Sequence, residues 1–106
     1  MKNLLMLLLL ALVGCATPIQ VTDGARKIQV LKQSNVMVNS CTKLGPISET
    51  VDKVQPAQAV YDETIWKVRN KASAMGADSL VILNDDHSIR GLANIITVHA
   101  TALKCY

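Results

Sequence analysis

The feature that most constrains this chain is an unbroken apolar run near its start, Leu4 to Val13, closed by small Gly14 and then Cys15. Met1-Lys2-Asn3 ahead of it supplies one positive charge. A positive start, a short apolar stretch and a small residue at a cleavage point describe a secretory signal. The run is too short to span a bilayer, where about 20 apolar residues are needed. Removing residues 1–14 would leave roughly 90 residues, enough for one small domain with a marginal core. Small exported domains of this kind are commonly stapled by disulfides.

Leu12-Val13-Gly14-Cys15 resembles the lipobox of bacterial lipoproteins, a Leu-aliphatic-small-Cys sequence read by lipidation and cleavage enzymes. The resemblance implies that Cys15 takes a diacylglyceryl group on sulfur, that the chain is cut before it, and that the new amine is acylated with a fatty acid such as palmitate. The physical logic is that each buried methylene contributes about 0.8 kcal/mol and one acyl chain alone holds only marginally. The competing reading is a plain signal peptide with a coincidental cysteine.

The chain has three cysteines, and an odd count leaves one unpaired. With Cys15 on lipid, Cys41 and Cys105 form an even pair, read here as a disulfide. Closing a loop of roughly 65 residues contributes on the order of 4 kcal/mol in the chain-entropy account. A metal site shared with His87 or His99 is the alternative, but the two cysteines lack the close-paired spacing of zinc ligands. Charge gives little: Lys+Arg 11 against Asp+Glu 8, with no Phe and a single Trp. Nucleic-acid binding calls for a basic stripe with stacking aromatics, so that class is excluded.

Residues 15–25 read as the lipidated Cys and a short tether, and residues 26–106 as the domain. Arg26 to Lys32 alternates apolar and polar as a half-buried strand does. Val36 to Ser40 is a weaker strand candidate. Cys41 to Val51 is a further strand whose Pro46 confines it to an edge or a bulge. Ala57 to Met75 carries one apolar stripe at helical spacing (Val60, Tyr61, Thr64, Ile65, Val68, Ala72), with Pro56 suited to its first position and Gly76 to its end. Glu63 and Lys67 are spaced for an i,i+4 ion pair. Ser79 to Leu83 is apolar on both parities, as in a covered central strand. Asn84-Asp85-Asp86-His87-Ser88 has turn chemistry. Ala93 to Lys104 alternates again, with Ile96, Val98, Ala100 and Ala102 as the helix-facing set. The order β-β-α-β-β predicts an α+β two-layer sandwich, one helix on a mostly antiparallel sheet.

Three further segments carry a family resemblance: Cys41-Thr42-Lys43-Leu44-Gly45, the stretch Asn70-Lys71-Ala72-Ser73-Ala74-Met75-Gly76-Ala77-Asp78 running into an apolar strand, and Ala102-Leu103-Lys104-Cys105. With the lipobox they resemble a family of small bacterial lipoproteins defined by domain of unknown function 4156. More distantly the chain is similar to RcsF-type outer-membrane lipoproteins, which sense envelope stress by contacting other envelope proteins. Those carry a long Pro-rich linker and more than one domain disulfide, whereas this tether is short and a single pair remains. The resemblance implies a structural Cys41–Cys105 bridge. It also implies sorting to the periplasmic face of the outer membrane, because Ala16-Thr17 rather than Asp follows Cys15.

No Ser or Cys nucleophile sits in a recognisable elbow, and no compact metal-ligand motif occurs. A non-catalytic role follows, without a cofactor beyond the lipid on Cys15. Asp85-Asp86-His87 could hold a small ligand or metal, but reads better as a solvated turn, and His99 as a sheet-face residue. Trp66 is the sharper signal. On a helical wheel it lies opposite the apolar stripe, among Asp62, Arg69 and Ser73, and Trp is enriched at interface hot spots. Packing against the tether or a neighbouring loop is the plainer explanation. The sequence therefore points to a lipid-anchored module that binds another envelope protein, with Trp66, Asp62 and Arg69 as candidate contacts. The second reading is a small-ligand or metal binder at Asp85 to His87.

Overall fold

A computed structural model describes residues 21–106. The signal segment, Cys15 and the first part of the tether lie outside the described residues. Within them run helix α1 (Asp23–Lys27), strand β1 (Gln29–Leu31), a 3-10 helix (Val36–Ser40), β2 (Thr42–Lys53), α2 (Ala57–Ala74), β3 (Ser79–Arg90) and β4 (Ala93–Lys104). The architecture is α+β: a four-stranded mixed sheet in the order β1-β3-β4-β2, with α2 packed on one face. Only the β1–β3 pair is parallel; β2–β4 and β3–β4 are antiparallel.

The helix forms where its stripe predicts. Val60, Thr64, Val68 and Ala72 are buried, and the Thr64 hydroxyl is satisfied by donating to the Val60 carbonyl at 2.7 Å. They meet Ile47 and Val51 of β2, Leu80 of β3, and Ile96, Val98, Ala100 and Ala102 of β4. Strand periodicity puts that β4 set on one face, and its two alanines admit the helix closely. Pro56 serves as the N-cap rather than the first helical residue, and Gly76 at φ +83 ends the helix. Such a φ suits glycine because there is no Cβ to clash. Glu63 pairs with Lys53 of β2 at 2.5 Å instead of with Lys67, clipping the helix to the sheet.

A second, smaller core lies on the other face at one end of the sheet. Leu31, Cys41, Val81 and Leu103 are buried there, with Val38 and Cys105 against them. Cys41 and Cys105 are disulfide-bonded, their Cα atoms 4.3 Å apart. The rest of this face is largely polar, as an antiparallel sheet with one solvated side allows. Ser48, Thr50, Thr97 and His99 form side-chain hydrogen bonds across it.

Three segments differ from the sequence pattern. Arg26 belongs to α1, whose N-cap Thr22 accepts from the Ala25 N–H, so the strand shrinks to Gln29–Leu31 and ordered structure reaches back into the expected tether. Val36–Ser40 is a 3-10 helix capped by Asn35, not a strand. Asn84 to Ser88 is not a turn. β3 runs straight through it to Arg90, and the reversal comes at Gly91 and Leu92.

Candidate functional site

Helix α2 lies over β2 and β4 and only grazes β3. A step is left along its flank, above the helix-facing side of β3. Two adjoining depressions share Tyr61 there. The first, about 310 Å³, is lined by Val30, Tyr61, Asp62, Ile65, Trp66, Arg69 and Ile82. The second, about 250 Å³, is lined by Ala57, Gln58, Tyr61, Asp85 and His87. Together they make one shallow groove with an apolar floor and charged walls.

The first depression brings together all three helix residues singled out from the sequence. Trp66 is half-buried, and the Arg69 guanidinium stacks over its ring, 4.6 Å from the centroid. Cations are held over aromatic faces by the ring quadrupole. The same guanidinium donates from Nε to the Ala25 carbonyl at 3.1 Å, and from Nη2 to the carbonyls of Ile28 at 2.8 Å and Arg26 at 3.4 Å. These carbonyls lie at the C-terminal end of α1, where helix carbonyls run short of intrahelical donors; that of Ala25 also accepts from the Ile28 N–H of the cap. Arg69 thus ties α1 to α2 and roofs Trp66. Asp62 is exposed at the rim and accepts from Gln58 Nε2 at 2.9 Å.

In the second depression Asp85 and His87 point to the helix side of β3. His87 Nε2 is 2.8 Å from Asp85 Oδ2, and its ring stacks on Tyr61 with centroids 6.1 Å apart. Burial, then the charges of Asp85 and Asp62, push the Tyr61 phenol above its ordinary 10.0. Tyr61 is therefore a protonated donor at neutral pH. Asp86 takes no part, for strand alternation turns it to the opposite face, where its Oδ2 lies 3.5 Å from His99 Nε2. His99 also bonds Ser48. The candidate Asp85-Asp86-His87 cluster is thereby split between two faces.

Among the described residues no group of three or more His, Cys, Asp or Glu side chains converges as a metal cage. No helix among them is long and apolar enough to cross a membrane. Tyr61 is the groove residue that sequence reasoning missed. It sits at the border of the apolar stripe and was counted with the core, although a Tyr there has one apolar face and one polar end. The structure thus defines a small disulfide-bridged α+β sandwich with an aromatic groove along the flank of its helix. Compared with known proteins, the chain matches no protein-family model and no curated protein.

Proposed function

We propose that this protein is a lipid-anchored module of the bacterial envelope that binds another envelope protein through the α2 groove. The reading makes the protein non-catalytic. The observation that carries it is the convergence of Trp66, Tyr61 and Ile65 on one open groove edged by Asp62 and Arg69. Aromatic and arginine side chains in a partly desolvated recess are the usual composition of binding hot spots. The lipobox-like Leu12 to Cys15 supports the anchor, and the resemblance to small bacterial lipoproteins supports the outer membrane and its periplasmic face. The Cys41–Cys105 bridge agrees with an oxidising compartment.

A photoreactive side chain placed at position 66 of the full chain in living cells tests the groove. A discrete cross-link to an envelope protein is expected at 66 and not at exposed Lys71. Equal cross-linking at both positions, or none at 66, would overturn the reading. Incorporation of a fatty-acid probe tests the anchor, and its loss in Cys15→Ser is expected; unchanged labelling of the variant would remove it.

The Tyr61–His87 stack and the Asp85 carboxylate favour one second reading, a small-ligand or metal binder in the 250 Å³ depression. One equivalent of zinc or copper in purified protein, lost in His87→Ala, would establish it in place of the first.

A further inference from the structure

The sheet has two edges, and they are not equally closed. On the outer strand β2, Pro46 removes a backbone donor and the register shifts between Lys43 and Gly45. Both devices discourage strand addition. The other edge is covered only at its start, where β1 pairs with Ser79 to Val81. Gln33 then donates from Nε2 to the Leu83 carbonyl at 2.6 Å. From Asn84 to Arg90 no strand among the described residues lies on the side of β3 away from β4, and every residue of that stretch is exposed. A row of backbone donors and acceptors along such an edge calls for one kind of occupant, another polypeptide strand.

We propose that this edge pairs antiparallel with the same edge of a second copy of the chain, about a two-fold axis passing through Ser88. Two independent observations select this arrangement. The first is space. Gln33 blocks the edge at Leu83, and the hairpin ends at Gly91 and Leu92. With Ser88 opposite Ser88, the turn of each copy ends beside Asn84 of the other, just short of Gln33. Moving the centre one residue back, to His87, would set the turn against Leu83 and the blocked position.

The second observation is charge. Asp86 and Arg90 both face away from α2, for Asp86 reaches His99 and Arg90 bonds Asp52 across the open side of the sheet. Centring on Ser88 places Asp86 of each copy opposite Arg90 of the other, on that same face. Opposite charges directly across an antiparallel pair are favourable, and the two-fold makes the contact twice. Arg90 has donors for both carboxylates, since a guanidinium carries five N–H groups. On the helix side, Ile89, which is 76% exposed, comes opposite His87 of the second copy. The result is one continuous eight-stranded sheet with an isologous interface. It does not depend on the groove binding a partner.

The test uses the full chain in detergent with Ser88→Cys and an added thiol oxidant. Residues on the axis meet their own counterparts, so a disulfide-linked dimer is expected on a non-reducing gel. It is not expected from Thr50→Cys, which is exposed on the same face but two strands away. In the Ser88→Cys background, Asp86→Arg or Arg90→Asp alone should reduce the linked fraction at least several-fold, by setting like charges opposite each other. The double swap should restore it. Absence of the dimer, equal linking from Thr50→Cys, indifference to the single swaps, or linkage of Ser88→Cys to a different protein would each overturn the proposal.

Discussion

The Arg69 guanidinium serves three carbonyls and one aromatic face at once. Replacing it with Met keeps the aliphatic stem but removes every donor. Arg69→Met is expected to lower stability by about 1–2 kcal/mol, the range for losing charge-assisted hydrogen bonds at a partly exposed site. Limited proteolysis should show cleavage appearing first around α1. Asp78 works in a similar way just beyond the C-terminus of α2, accepting from the Cys105 N–H at 2.8 Å and the Tyr106 N–H at 2.9 Å. These bonds, Cys105 first, hold its carboxyl below the ordinary 3.8. A depressed folded-state value stabilises the fold above the ordinary carboxylate range, and that contribution is lost as pH falls through the folded value. Asp78→Asn should therefore flatten the acid limb of a stability–pH curve and leave its alkaline limb unchanged. An unaltered acid limb would show that the carboxylate contributes nothing. At this scale the sequence was only partly readable. Trp66, Asp62 and Arg69 could be grouped from the wheel, but nothing in the pattern placed α1's carbonyls within reach of Arg69.

Among the elements, α2 and β4 were legible because each carries its own period, 3.6 for the helix and 2 for the strand. The far half of β3 was not. Asn84, Asp85, Asp86 and Ser88 favour turns by local propensity, since their side chains bond the nearby backbone. Tertiary pairing overrides that preference: each meets a partner on β4, Asn84 with His99 and Ser88 with Ile95. With α2 lying mostly elsewhere and the edge open, nothing demanded apolar residues there, so the stretch lost the composition of a strand. The real reversal rests on Gly91, at φ +62. A left-handed first turn residue is the hallmark of a tight two-residue hairpin, and only glycine takes it without strain. Gly91→Val is expected to cost about 1–2 kcal/mol for the left-handed conformation alone. Hydrogen exchange should show protection lost first at Asn84 to Arg90, while Ser79 to Val81 keep theirs. Uniform loss along β3 would mean the hairpin and the base of the sheet open together.

For the molecule as a whole, the α+β class and the Cys41–Cys105 pairing followed from element order and cysteine arithmetic. The parallel β1–β3 pair did not, because the direction in which a three-residue strand joins a sheet leaves no trace in its sequence. The bridge is expected to contribute about 2–5 kcal/mol, as native disulfides do in small exported domains. Replacing both cysteines with Ala should lower the urea midpoint accordingly, and an unchanged midpoint would make the bridge dispensable. Its position also makes it a clock. Cys41 immediately precedes Thr42 and Cys105 immediately follows Lys104, the first registered pair of β2 and β4. Those strands lie far apart in the chain, and joining them is the slow kind of event, since the closure entropy comes due before the contacts repay it. The β3–β4 hairpin can zip locally beforehand, which sets Leu103 beside Ser79 and shortens the path between the two thiols but does not pair them. Disappearance of free thiol during oxidative folding therefore times the docking of β2 on β4 rather than the first collapse, and whatever reads the oxidised state of the chain reads the joining of those two strands.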